Sequence, residues 1–237
     1  MQLSPRLAAI ASLIPQGSVV ADIGTDHALL PIYLIQQGVA GRVIAVENRP
    51  GILARARQTV SLFNQQYKID LRLGDGLEPL RPEDEVDVVV VAGLGGRTIC
   101  RLLHAGRSKG RGVRAFILQP MQEAPLLRRW LVAHGFRFLT ERLVREGRRI
   151  YEIIVAGQGR ERVADPLLYE LGPVLVREKD PLLVPFIQQK IKRCQAISSS
   201  LRQSSREECR QKLNYYLQKE ECLKEVLELV SHGQADS

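Results

Sequence analysis

Val19-Val20-Ala21-Asp22-Ile23-Gly24-Thr25-Asp26-His27-Ala28 is a short apolar run that ends in an acid and turns through glycine into a helical pattern. Such a turn brings backbone amides close to a ligand, because glycine has no Cβ to obstruct the approach. The rhythm repeats downstream. Apolar runs at Arg42 to Glu47, Ile69 to Leu73, Val86 to Ala92 and Val113 to Gln119 alternate with helical stretches at Ala28 to Gln37, Pro50 to Asn64, Gly95 to Leu103 and Glu123 to His134. Val88-Val89-Val90-Val91 is continuously β-branched, as a central parallel strand covered on both faces would be. Five strand–helix repeats predict a doubly wound α/β sheet. After them, Phe136 to Val144 and Arg149 to Ala156 read as two strands joined by the turn Arg145-Glu146-Gly147-Arg148, an antiparallel hairpin closing an otherwise parallel sheet.

Ser4-Pro5 opens a helix ahead of the first strand, with Leu7, Ile10, Leu13 and Ile14 on one face. At the far end Gly157-Gln158-Gly159-Arg160 reads as a linker, dividing a catalytic domain (1–159) from a helical arm (160–237). In the arm, Leu183, Phe186, Ile187, Ile191, Cys194, Ile197 and Leu201 mark one apolar stripe. Cys209, Leu213, Tyr216, Leu217, Leu223, Val226, Leu227 and Val230 mark a second. The serine-rich Ser198 to Ser205 supplies a reversal between them, giving a coiled-coil-like antiparallel hairpin; a single long helix with a soft middle is the competing arrangement.

The 237 residues are enough for a core without staples, and with 45% apolar and 25% charged residues the composition excludes wholesale disorder. No run approaches the roughly 18 apolar residues of a membrane span. An unexported cytoplasmic protein with no membrane partner is expected. Cys100, Cys194, Cys209 and Cys222 lack metal or redox spacing and are read as reduced apolar fillers. His27, His104, His134 and His232 are scattered, so no metal is expected. The net charge of +8 is uneven: up to Gly159 there are 21 Lys and Arg against 14 Asp and Glu, and beyond it 13 against 12. Arg97, Arg101, Arg107, Lys109, Arg111 and Arg114 form one basic cluster. Arg128, Arg129, Arg137, Arg142, Arg145, Arg148 and Arg149 form another. Such clusters attract phosphate backbones, and they suit a solvated surface equally well.

Four positions carry the chemistry. Asp22 and the Gly24-Thr25-Asp26 turn offer an acid and free amides to a ligand with amino and carboxylate groups. The lone Gly24 argues against a dinucleotide pyrophosphate, which calls for Gly-x-Gly-x-x-Gly. Glu47, at the tip of the second strand, can accept both hydroxyls of a ribose. Asp75, in Gly74-Asp75-Gly76-Leu77, can read the edge of an adenine, although an Asp-Gly turn alone is ordinary. Ala92-Gly93-Leu94-Gly95-Gly96-Arg97-Thr98 leaves open space after a buried strand, where a flat base can lie against backbone.

In this order the motifs, with Leu118-Gln119-Pro120 and Tyr151-Glu152, resemble the bacterial tRNA (adenine-N1)-methyltransferase family of the TrmK type, which acts on adenine 22 of tRNA. The resemblance covers about the first 155 residues; Leu94 stands where the family more often has methionine. It implies a Rossmann-like class I methyltransferase with a mostly parallel seven-stranded sheet, using S-adenosyl-L-methionine as methyl donor. It further implies that Asp22, Gly24, Thr25, Glu47, Asp75, Gly76, Leu77, Ala92 and Gly93 hold the donor, and that Gly95, Gly96, Gln119 and Pro120, with Arg97 and Arg101, face the substrate. Asp26 and His27 are the candidate catalytic pair: Asp26 accepting from the exocyclic amine of adenine, His27 stacking on or hydrogen-bonding the base. Adenine N1 has a free lone pair at neutral pH, so alignment rather than a strong base is the expected source of rate. The arm is expected to grip the tRNA body, with Tyr215 and Tyr216 used in packing, and the protein to be a monomer or weak homodimer. The alternatives are a class I methyltransferase for another RNA, a small molecule or a protein, a nicotinamide oxidoreductase, and a noncatalytic RNA-binding module.

Overall fold

The computed structural model describes residues 1–110, 112–202 and 207–235. Two compact units emerge, Met1–Ala164 and Asp165–Ser237, with the division five residues beyond the glycine-rich linker. The first unit opens with α1 (Pro5–Ser12), whose cap is the Ser4 side chain accepting from the Leu7 amide. It continues β1 (Ser18–Ile23), α2 (Leu29–Gln36), β2 (Ala40–Glu47), α3 (Pro50–Leu62), β3 (Ile69–Leu73), β4 (Val88–Leu94), α4 (Gly96–Ala105), β5 (Ala115–Pro120), α5 (Ala124–Ala133), β6 (Phe136–Glu146) and β7 (Arg149–Gln158).

The seven strands form one sheet in the order β3-β2-β1-β4-β5-β7-β6. Pairings from β3 through β5 are parallel, and β7 runs antiparallel to both neighbours. The last strand therefore inserts between β5 and β6. Its composition explains why: Ile153, Ile154, Val155 and Ala156 are all buried, as an interior strand requires, whereas β6 alternates buried Phe138, Glu141 and Leu143 with exposed residues, as an edge strand does. The Val88–Val91 run is at most 1% exposed, in the middle of the sheet. The order reverses direction between β1 and β4, and in an open α/β sheet ligands bind at the carboxyl ends of the strands flanking that point.

The second basic cluster is not all surface. Arg128 has no exposed side-chain area, and its Nε and Nη1 donate to Glu141 (2.6 Å) and Glu152 (2.7 Å), so this arginine joins α5 to the β6–β7 hairpin and is withdrawn from any phosphate. Arg129, Arg137, Arg142, Arg145, Arg148 and Arg149 are exposed. Of the first cluster, Arg111 lies outside the described residues.

The second unit holds α6 (Leu168–Leu171), α7 (Pro173–Arg177), α8 (Leu183–Leu201) and α9 (Glu207–Ala235). Helices α8 and α9 pack on one another, so the antiparallel hairpin holds and the single long helix does not. Leu183, Phe186, Ile187, Ile191 and Cys194 form the buried stripe of α8. The reversal begins later than the serines suggested: Ser198 to Ser200 are helical, because Ser198 faces the interior, while 203–205 lie outside the described residues. Tyr215 and Tyr216 contact edge-to-face, 5.2 Å between centroids. Cys100 and Cys194 are buried fillers, but Cys222 is exposed.

Candidate active site

Strand register brings the predicted acids to one edge. Asp22 lies opposite Ala45, Glu47 opposite Leu73, and the Gly74 amide donates to the Glu47 carbonyl (3.1 Å), placing Asp75 just beyond. Neighbouring strands stand about 4.8 Å apart, so β1, β2 and β3 present the three acids along a short shelf. On the other side of β1, Ala92 pairs with Gln119, which sets the Gly93–Gly95 loop beside the Gly24 turn. Leu94 spans the gap: its Cδ1 is 3.9 Å from where a Gly24 Cβ would stand.

The β1 exit is tightly wound. Gly24 adopts φ +79°, a left-handed conformation that favours glycine, and both the Gly24 and Thr25 amides donate to the Val46 carbonyl, at 2.8 and 3.0 Å. These two amides were expected to be free for a ligand; the structure uses them to clamp the turn onto β2. Among the described residues, the unpartnered amides of this turn belong to Asp26 and His27. Asp26 (φ 50°) and Ala28 (φ 57°) are also left-handed, a conformation costing roughly 1–2 kcal/mol per non-glycine residue and typical of functional sites. Asp26 and His27 are exposed, with His27 Nε2 3.8 Å from Asp26 Oδ1. The Asp22 side chain, by contrast, is buried, and burial pushes its carboxyl up to about 6 against a smaller opposing pull from Thr25. The Thr25 hydroxyl is itself buried and lacks a partner at hydrogen-bonding geometry.

Glu47 is 3% exposed and uses Oε1 to accept from the Arg49 amide (3.0 Å) and Nε (3.1 Å), leaving Oε2 open. Asp75 is half-exposed and ion-paired to Arg101 on α4 (2.7 Å). Arg97 pairs with Glu123 at 3.4 Å.

Several of the expected ligand residues also have structural partners. Gly96 is buried, and a Cβ there would meet the Glu123 carbonyl oxygen at 2.5 Å; its absence lets α4 start against the β5–α5 loop. A Cβ on Gly76 would likewise meet the Leu102 side chain at 2.9 Å. Leu77 is 1% exposed as a whole residue. Gln119 is wholly buried: Oε1 accepts from the Gly93 amide (3.1 Å) and Nε2 donates to the Pro120 carbonyl (3.0 Å), bracing the loop. Pro120 is buried beside it. Exposed backbone facing the shelf remains at Gly24 and Gly93, with Ala92 and Gly95 partly exposed.

Sequence reasoning missed Arg6. From α1 its Nη1 donates to Gln119 Oε1 at 2.7 Å and its guanidinium lies over the Tyr151 ring at 5.6 Å. No local motif marks it, since its partners are more than 100 residues away. Two grooves, of about 500 and 690 Å³, lie elsewhere: one beside β3 with Arg42, Tyr67 and Lys68, the other at the amino ends of β5 and β6 with Arg107, Phe116 and Arg160. Neither contains Asp22, Glu47 or Asp75.

Residues 20–224 match the TrmK family, described as tRNA (adenine(22)-N(1))-methyltransferase. The tRNA (adenine(22)-N(1))-methyltransferase of Bacillus subtilis is 34% identical over 239 residues, covering 98% of this chain and 99% of that protein. The crystal structure of the Bacillus subtilis m1A22 tRNA methyltransferase TrmK superimposes with a TM-score of 0.85 at 33% identity, covering 95% of this chain and 99% of that one. A Streptococcus pneumoniae protein solved in complex with S-adenosyl-L-methionine gives 0.85 at 33% identity, covering 95% and 100%.

Proposed function

The chain belongs to the TrmK family of tRNA (adenine(22)-N(1))-methyltransferases, and from that premise we propose how its residues divide the work of methyl transfer. It is an enzyme that methylates N1 of adenine 22 in tRNA, and S-adenosylmethionine supplies the methyl group as an electrophilic sulfonium. The shelf fits that donor. Glu47 Oε2 is open to a ribose hydroxyl, Asp22 and the Thr25 hydroxyl are buried polar groups short of donors and acceptors, the Asp26 and His27 amides are unpartnered, and Gly24 leaves backbone bare. Asp75 and the Gly76-Leu77 backbone border the adenine end, with Arg101 holding one Asp75 oxygen.

The Gly93–Gly95 loop, braced by Gln119, receives the target base. Adenine N1 needs no deprotonation, so the enzyme acts by alignment, without a metal. Asp26 accepts from the exocyclic amine and stabilises the cationic product; His27 flanks the base. Their exposure on a strained turn beside the donor shelf supports this assignment. The helical unit grips the tRNA body, in the cytoplasm, with the enzyme acting as a monomer or weak homodimer.

The observation that carries the reading is the alignment of buried Asp22 and Glu47 with two glycine-containing loops at one sheet edge. Its test is transfer of a labelled methyl to tRNA, compared with the same tRNA carrying another base at position 22, with mass-spectrometric mapping. Equal transfer to both would overturn the assignment.

A further inference from the structure

We propose that Arg6 binds a phosphate of the tRNA strand beside the adenosine drawn into the site, an inference that rests on the methyltransferase reading above. Its guanidinium belongs to the first helix in sequence but stands at the catalytic edge in space. Nη1 lies 4.0 Å from the position of a Gly93 Cβ, and Gly93 adjoins Leu94, whose side chain faces Gly24. The group therefore stands beside the loop to which the reading above gives the target base.

Three features separate it from a structural arginine. First, it is held in place without being neutralised. The Tyr151 ring and the Gln119 oxygen fix the plane, the Arg6 amide donates to Glu146 Oε2 at 3.1 Å, and no carboxylate among the described residues pairs with the guanidinium. Arg42, Arg72, Arg97, Arg101 and Arg128 each have an acidic partner. Second, its donors are not all used. Nε is buried without a partner, and Nη2 makes no hydrogen bond to the described residues yet is not among the buried orphans, so it reaches solvent. Nη2 is thus the donor open to an acceptor arriving from outside, with the charge of the whole guanidinium behind it. Third, a planar fork with a full positive charge matches a phosphate. It does not suit the base itself, because N1-methyladenine is a cation that a guanidinium would repel.

The test uses the full chain, its Arg6→Gln and Arg6→Lys variants, and an unmodified tRNA transcript with adenine at position 22. Equilibrium tRNA binding across salt concentrations, S-adenosylmethionine binding by calorimetry and methyl transfer are all read. Arg6→Gln keeps a donor for Gln119 but loses the charge. It should weaken tRNA binding about tenfold, lower the slope of log affinity against log salt by about 0.7 to 0.9, and leave donor affinity within about twofold. Arg6→Lys should restore the slope while recovering only part of the affinity, and it decides the matter alone if the glutamine variant does not fold. A wild-type salt slope in Arg6→Gln, wild-type tRNA affinity in Arg6→Lys, or equal losses of donor and tRNA affinity would overturn the proposal and leave Arg6 as a tie between α1 and the loop. Wild-type protein that binds the transcript but transfers no methyl would instead overturn the enzymatic reading.

Discussion

Replacing Asp22 by asparagine should make the free protein more stable and the enzyme worse. Burial raises the Asp22 carboxyl from its ordinary 3.8 to about 6. The sign follows from linkage: the unfolded chain loses this proton as pH passes 3.8, while the folded chain keeps it until about 6, so stability falls across that interval and the deficit is constant above it. At about 1.4 kcal/mol per unit, holding the ionised carboxylate costs about 3 kcal/mol at neutral pH, and burying an amide instead recovers about 2 of that. A domain of this size gains roughly 2–4 °C per kcal/mol, so Asp22→Asn should melt about 4–8 °C above wild type at pH 7.5 and slightly below it near pH 3.5. Donor binding should behave oppositely. At a hundred times its dissociation constant S-adenosylmethionine adds about 2.7 kcal/mol of stability to wild type, and the variant should show little of that increment. Thermal melts from pH 3.5 to 8, with and without donor, measure both. A variant no more stable than wild type at pH 7.5, or an advantage independent of pH, would refute the assignment of Asp22 as a strained acid kept for the ligand.

Asp26→Ala should lower turnover about ten- to a hundredfold, the worth of a hydrogen bond to a charged group, while calorimetric donor affinity changes little; an unchanged rate with tRNA removes Asp26 from the chemistry. Gly24→Ala and Gly96→Ala should differ in kind. A Gly24 methyl finds 3.9 Å of clearance but at φ +79° costs about 1–2 kcal/mol, and because it faces the shelf donor affinity should fall along with stability, whereas a Gly96 methyl meets backbone at 2.5 Å and should lower the melting temperature first. Arg128→Met takes the cation from buried Glu141 and partly buried Glu152, and urea titration should record a loss of about 3–5 kcal/mol; less than about 1 would mean that the carboxylates protonate or find other donors.

The fold was legible because its signals are local. Continuous β-branched runs, glycine turns and amphipathic stretches each lie within a dozen residues, and they located β1 to β7 to within a few residues. What escaped depends on partners distant in sequence. Arg128 looked like part of a basic surface because Glu141 and Glu152, which neutralise it, come from strands whose placement a charge count does not register. The glycines of Gly93-Leu94-Gly95-Gly96 looked alike, yet one leaves bare backbone at the shelf and another passes the Glu123 carbonyl. The short helices α6 and α7 were missed because four and five residues are too few to show a period.

The same edge contains the least favourable local conformations described above and the firmest bracing. Asp26 and Ala28 are left-handed, Asp22 is a buried acid and the Thr25 hydroxyl has no partner. Around them, the Val46 carbonyl clamps two consecutive amides, Gln119 bridges Gly93 and Arg6, and Gly96 locks α4 to the next loop. Local strain persists only where its surroundings over-determine it. The bracing therefore fixes the turn before any ligand arrives, and little ordering remains to oppose donor binding. Gln119 is the test of that argument. Gln119→Leu removes the brace from the Gly93 loop while leaving Asp22, Glu47 and the Val46 clamp intact, so tRNA turnover should fall much more than donor affinity. Equal losses of both would mean that the shelf and the loop are ordered together by the ligands rather than by the sheet.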